Sequence, residues 1–161
     1  MSAPRAAGLL AVFGLILLTA SALDAQDRAP WFGTWRLDPA RGTQRTSSPY
    51  KRVTLSIAPH DDGLRVSYDM IGTRGGVTHR EWTGRLDGRD YPMQGVDYVM
   101  TNAYRLVSDR TYEIAVKVEG NPVATARATV SPDGSTLTVV TRERDAHGQP
   151  TESTAVYSRV Q

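Results

Sequence analysis

The chain has 161 residues, no cysteine, and 19 basic against 17 acidic side chains, so its formal net charge is only +2. The lack of cysteine excludes disulfides, thiolate metal ligands, cysteine nucleophiles and lipid attachment to a cysteine. Basic and acidic residues are interspersed, which is typical of a solvated surface, so we predict no binding of nucleic acid.

The first 25 residues have the three zones of a secretory signal peptide. Arg5 provides the positive charge, residues 8–18 form an apolar run of 11, and mostly small residues occupy positions 19–25. A membrane-spanning helix needs about 20 apolar residues, so this run is too short to be one. We predict cleavage after Ala22 or Ala25, release into the periplasm or the medium, and no stable membrane insertion afterwards. The alternative is an uncleaved N-terminal anchor.

Residues 26–161 are predicted to form one domain, and its dominant pattern is the alternation of apolar and polar residues that β-strands show. Segments rich in Gly, Pro, Asp and Asn separate the alternating runs and predict turns. Helical i, i+3, i+4 spacing of apolar residues does not occur in this part of the sequence. The clearest runs are Val53, Leu55 and Ile57; Leu64, Val66, Tyr68 and Met70; Tyr112, Ile114, Val116 and Val118; and Ala124, Ala126, Ala128 and Val130.

The domain is therefore predicted to be all-β, with about nine or ten strands. Short turns between them favour sequential antiparallel pairing, which gives a meander. A twisted sheet of this size leaves two exposed edges unless it closes on itself or divides in two. We predict a closed or nearly closed barrel, and a two-sheet sandwich is the alternative.

Gly33-Thr34-Trp35 at the start of the first strand resembles the Gly-x-Trp signature of lipocalins. In that fold the tryptophan closes one end of the barrel, and an arginine near the last strand stacks over it. The resemblance implies that Gly33, Trp35 and Arg159 form the base of the barrel. A guanidinium over an indole face is favourable by about 0.5–2 kcal/mol.

A second resemblance covers almost the whole domain. Residues 32–35, 84–92, 129–139 and 145–149 are similar to those of a group of small exported bacterial proteins that are described as lipocalin-like. The resemblance implies a lipocalin-like β-barrel, and it brings no catalytic residue with it.

Aromatic and methionine side chains are the main candidates for a binding site. The apolar faces of a closed barrel converge inside, and small barrels either fill that space or leave room for a ligand. Buried tyrosine hydroxyls need partners and methionine adapts to irregular shapes, so a partly polar pocket is expected unless the residues form an ordinary packed core. The predicted ligand-binding residues are Tyr68, Met70, Trp82, Tyr98, Met100, Tyr104 and Tyr112.

No catalytic, metal-binding or cofactor-binding set is predicted. The sequence lacks a Gly-x-Ser-x-Gly elbow, and the stretch from His60 to Asp62 is interpreted as a turn, not as a metal site. An enzyme would need at least two of His79, Glu81, Arg105 and Glu143 to meet at the mouth of the barrel.

Two functions follow from these patterns. The first is an exported lipocalin-like protein that binds a small apolar or amphipathic molecule in its barrel, without a cofactor. The second is a module that binds a protein or an envelope polymer through its outer surface, with a filled core and no ligand. The size of the barrel interior distinguishes them, because ligand pockets usually occupy about 300 Å³ or more.

Overall fold

The computed structural model describes residues 29–43 and 50–160. The signal peptide predicted for residues 1–25 and its cleavage sites lie outside the described residues. No helix that could span a membrane occurs in the described part of the chain. Its strands are β1 (Gly33–Leu37), β2 (Tyr50–His60), β3 (Gly63–Gly72), β4 (Val77–Gly84), β5 (Asp87–Gln94), β6 (Met100–Ser108), β7 (Thr111–Val118), β8 (Asn121–Val130), β9 (Thr136–Arg144) and β10 (Pro150–Arg159).

Each strand pairs antiparallel with its neighbour in the chain, and β1 also pairs with β10. The sheet therefore closes into a ten-strand meander barrel, which confirms the predicted fold class. The two-sheet sandwich is wrong. Closure gives both edge strands a partner, because Trp35 of β1 is paired with Arg159 of β10 on one side and with Leu55 of β2 on the other.

Alternation along each strand decides which side chains face the interior. On β2, Val53, Leu55 and Ile57 are buried, and the residues between them are more exposed. Only Asp61 and Asp62 connect β2 to β3, and Asp61 has a φ of 50°. Aspartate tolerates this left-handed conformation in tight turns better than most residues, so the sequence suits a very short connection here.

One half of the barrel interior is filled with large side chains. Trp82 stacks on Tyr104 with ring centroids 4.0 Å apart, and Tyr104 stacks on Tyr112 at 5.5 Å. The indole nitrogen of Trp82 donates a hydrogen bond of 3.1 Å to the backbone oxygen of Asn102, so this buried polar group is satisfied. Smaller apolar residues complete the packing, namely Leu55, Ile57, Leu64, Val66, Val130 and Leu137.

The base of the barrel lies at this filled end. The guanidinium carbon of Arg159 is 4.1 Å from the centroid of the fully buried Trp35 ring. Arg159 also donates hydrogen bonds to the backbone oxygens of Pro30, Phe32 and Gly134 at 2.5, 2.7 and 2.7 Å. One side chain thus ties the start of the domain to the β8–β9 turn.

Gly33 brings the first strand close to the same arginine. A Cβ atom at Gly33 would lie 2.5 Å from Nη1 of Arg159. Just before it, Trp31 is buried and its ring meets Tyr112 edge-on, with centroids 5.6 Å apart. The structure therefore places Gly33, Trp35 and Arg159 together at one end of the barrel.

Candidate functional site

The other half of the barrel encloses a cavity of about 950 Å³ that is open to solvent. Thr43, Tyr50, Asp145 and Thr151 line its mouth, at the ends of the barrel strands opposite the base. Tyr104 lines the cavity and also belongs to the aromatic stack, so it marks the boundary between the hollow and the filled half. Pockets for small ligands usually occupy about 300–1,000 Å³, so the cavity is large enough for one such molecule.

A little more than half of the cavity wall is apolar. Aliphatic and methionine side chains from nine of the ten strands line it, all except β4. Unbranched methionine side chains adapt to different ligand shapes, so this wall does not demand one rigid outline. The apolar lining includes Val53, Met70, Met93, Met100, Ile114, Val116 and Val139.

Tyrosine hydroxyls form a polar group inside the cavity. Burial raises the pKa of Tyr68 well above its usual value, and the neighbouring Tyr104 and Tyr157 raise it further. Burial raises the pKa of Tyr157 to about 12. Burial also raises the pKa of Tyr104, and the neighbouring side chains of Tyr68 and Asn102 oppose this in part. These tyrosines therefore stay neutral near pH 7 and act as hydrogen-bonding groups, not as charges.

Two polar atoms in the cavity wall lack partners. Nε of Arg80 and Oδ1 of Asn102 are both buried, and neither has a hydrogen bond among the described residues. Asn102 is only 4% exposed, and both side chains line the cavity. Tyr68 on β3 is paired with Arg80 on β4, and Asn102 lies two strands further along on β6. A buried polar atom without a partner is unfavourable unless water or a ligand completes it.

Carboxylates line the opposite wall. Glu143 and Asp145 on the β9 side contribute to the cavity near its mouth, and Glu152 on β10 also borders it, with its carboxylate paired to Nε of Arg142 at 2.7 Å. β4 and β9 are five strands apart in both directions around the ring, so Arg80 and Glu143 come from opposite sides of the barrel. The cavity thus has a positive group on one wall and negative groups on the other.

Four of the seven predicted ligand-binding residues line the cavity, namely Tyr68, Met70, Met100 and Tyr104. Trp82 and Tyr112 are buried within the barrel but belong to the packed half. The prediction that Tyr98 faces the interior is wrong. Tyr98 is 47% exposed and lies in the connection between β5 and β6, where strand alternation no longer applies.

Arg80 and Asn102 were not among the predicted residues, although the alternation identifies them. Arg80 stands two positions before the inward-facing Trp82, and Asn102 stands between Met100 and Tyr104 on β6. Residue type argues against an interior position for both, because arginine and asparagine side chains are mostly exposed in folded proteins.

No two of the four residues that were considered for an enzyme meet at the mouth of the barrel, although His79 and Glu81 lie 4.0 Å apart outside it. His79 and Glu81 lie on the outer face of β4, because they alternate with inward-facing residues. Arg105 has a side chain that is 67% exposed, also outside the barrel. Of the four, Glu143 alone lines the cavity. Within residues 29–43 and 50–160, no group of three His, Asp or Glu side chains could hold a metal ion.

No protein-family model matches the chain, and no curated protein matches its sequence. Among solved structures, zebrafish ileal bile acid-binding protein complexed with cholic acid matches with a TM-score of 0.52 at 10% identity, over 81% of this chain and 99% of that one. Rv2717c from M. tuberculosis matches with a TM-score of 0.52 at 16% identity, over 88% of this chain and 99% of that one. At these identities the likeness concerns the fold alone. The chain has the fold of lipocalin-like barrels, to which the bile acid-binding protein also belongs.

Proposed function

We propose that this chain is exported to the periplasm or the medium, where its barrel binds one small amphipathic molecule without transforming it. The observation that carries the proposal is the open cavity of about 950 Å³, whose wall combines apolar side chains with polar and charged ones. A pocket of this composition suits a ligand with an apolar body and a polar end. The solved structure of a similar barrel with cholic acid supports the same class of ligand.

The alternative module with a filled core is less well supported. It required a packed interior that leaves only the outer surface for binding. In the structure, packing fills one half of the barrel and the other half is hollow. Leaving such a volume open costs stability, so an unused cavity would be a disadvantage to the fold.

Fluorescence titration of the processed protein with Nile red, a neutral apolar dye, tests the binding function. We expect saturable binding of one dye per barrel, which native mass spectrometry counts directly. Val139→Glu places a longer, charged side chain among the apolar residues of the cavity wall and should weaken dye binding at least about 10-fold, because the neutral dye would have to displace the water around that charge. The matched control is Val123→Glu, since Val123 is 44% exposed. Absence of saturable binding, or equal loss in both variants, would contradict the proposal.

Sequencing the N-terminus of the full chain after expression in a bacterial host tests export. We expect a periplasmic or secreted product that begins at Leu23 or Gln26, after removal of the signal peptide. A product that keeps Met1 and stays in the membrane fraction would show an uncleaved anchor instead.

A further inference from the structure

Arg80 is a cation inside the barrel without a carboxylate partner. Among residues 29–43 and 50–160, no carboxylate oxygen lies within 4.0 Å of its guanidinium nitrogens, and its Nε forms no hydrogen bond. Most arginines of the described segments are exposed, and several of them are paired on the outer face, as Arg65 is with Glu81. Leaving a half-buried guanidinium without a partner lowers the stability of the fold. A carboxylate is its best partner, because the two groups can form two parallel N–H···O hydrogen bonds.

Asn102 requires a hydrogen-bond donor on the ligand, whereas Arg80 requires an acceptor. The Oδ1 atom of Asn102 can only accept hydrogen bonds. This atom has no partner, although only 4% of the residue is exposed. A carboxylate oxygen cannot satisfy this atom, because both groups are acceptors. A hydroxyl group on the ligand can, since it carries a proton to donate.

The wall opposite Arg80 limits how many negative charges the ligand can carry. Glu143 and Asp145 line the cavity across the barrel from Arg80. A ligand with two anionic groups would place one of them at Arg80, and the carboxylates on the opposite wall would repel the other. The arrangement therefore favours a monoanion whose apolar part lies along the methionine and valine side chains.

From these three features we infer that the ligand is an amphipathic hydroxy acid: a monocarboxylate whose carboxylate pairs with Arg80 and whose hydroxyl donates to Oδ1 of Asn102. The inference rests on the proposed binding function and specifies its ligand class. Arg80 supplies the charge, Asn102 selects the hydroxyl, and the apolar walls hold the body of the molecule.

A series of probes with the same apolar chain separates these contributions. Dodecanoate, dodecanol and 3-hydroxydodecanoate are titrated into the processed protein, and displacement of Nile red gives each dissociation constant. We expect dodecanoate to bind about 10-fold more tightly than dodecanol, because a charge-assisted pair replaces a neutral contact. We expect 3-hydroxydodecanoate to bind about 3- to 10-fold more tightly than dodecanoate, because it satisfies the orphaned oxygen.

Variants assign each preference to its residue. Arg80→Gln should weaken dodecanoate binding about 10-fold and leave dodecanol binding unchanged. Arg80→Lys keeps the charge but loses the planar pair of donors, so part of the preference should return. Arg52→Gln is the matched control, because Arg52 is an exposed arginine on β2, and it should change neither dissociation constant. Asn102→Leu should remove the advantage of the hydroxyl group, and its unfolding curve shows whether the barrel is intact.

The outcomes distinguish the two levels of the hypothesis. If neither Nile red nor any of the three probes binds, the proposed function itself is wrong. If the probes bind but dodecanol equals dodecanoate, or Arg80→Gln weakens both equally, the carboxylate assignment is overturned and the binding function stands. If the hydroxyl group brings no advantage, Asn102 does not contact the ligand.

Discussion

Two separate constraints, one on the backbone and one on the space around it, require glycine at position 33. Its φ of +134° is rarely adopted by residues with a side chain, and a Cβ there would lie 2.5 Å from Nη1 of Arg159. Arg159 cannot easily move away, because it is held by three backbone oxygens and lies over Trp35. Backbone strain and a steric clash therefore act together at this position.

We expect Gly33→Ala to lower the free energy of unfolding by about 2–3 kcal/mol, since it adds a clash to the backbone strain. The matched control is Gly75→Ala. Gly75 also has a positive φ, +92°, but a Cβ there meets no atom within 4 Å. Its substitution should cost only about 1 kcal/mol from backbone strain. Urea denaturation measures both changes, and equal losses would show that the contact with Arg159 does not matter.

Single residues also show where inference from the sequence stops. Arg80 occupies an inward position that alternation alone identifies, yet arginine is usually exposed, so composition argues against an interior placement. Tyr98 shows the opposite case. Its aromatic ring predicts an interior position, but the residue lies in the connection between β5 and β6, where inward and outward positions no longer alternate. Period and residue type must therefore be weighed together at every position.

At the scale of elements, the β8–β9 turn supports the base of the barrel. Asp133 accepts hydrogen bonds from the hydroxyls of Ser131 and Ser135, at 2.5 and 2.7 Å, and from the backbone nitrogen of Ser135. These bonds, the one from Ser131 most of all, lower the pKa of Asp133 to about 2. The same turn presents the oxygen of Gly134 to Arg159.

This turn should make stability depend on pH in the acid range. The folded pKa of Asp133 lies below its ordinary value of 3.8, so its contribution is present above about pH 4 and is lost as the pH falls toward 2. Asp133→Asn should therefore be less stable than the wild type near neutral pH, and the difference should shrink toward pH 2. Thermal unfolding across this range measures it. Asp109→Asn makes the same change of charge in a neighbouring turn, and a similar pH profile for both variants would contradict the prediction.

β5 marks the limit of strand prediction. Residues 87–95 are rich in turn formers, a composition that predicts one short strand, whereas β5 has eight residues, Asp87–Gln94. The register against β6 shifts between Asp87 and Asp90, so a bulge takes up the residues that do not suit regular pairing. Toward β4 the pairing is limited to Glu81 with Gln94 and Trp82 with Met93. Tertiary pairing overrides local preference here, which a sequence pattern does not reveal.

At the scale of the whole molecule, the fold could be predicted but the cavity could not. Alternation and short turns are local properties, and they were enough for a closed meander. Whether the interior is full depends on side chains from ten strands that meet only after closure. Trp35 and Trp82 fill one end, whereas Ala126 and Ala155 face the cavity at the other. Whether a half is filled or hollow depends on the combined volume of the side chains from opposite walls, so no single strand reveals it.

β8 provides a direct test of the two halves, because it runs through both. Ala126 lines the cavity, and Ala128, two residues along the same inner face, is completely buried in the packed half. Ala126→Phe should keep the free energy of unfolding within about 1 kcal/mol of the wild type, since the added ring enters open space. Ala128→Phe should destabilise the barrel by about 1–3 kcal/mol or more, because the ring has no room.

The two variants should differ in binding in the reverse sense. Ala126→Phe occupies part of the volume that the ligand needs, so it should weaken Nile red binding at least about 10-fold although the protein stays folded. Ala128→Phe lies outside the cavity lining and should retain binding at temperatures where the barrel remains folded. Denaturation and dye titration on the same samples give both quantities. If both variants lost stability to the same extent, residues 126 and 128 would lie in equally packed surroundings, and the division of the barrel into a hollow and a filled half would be wrong.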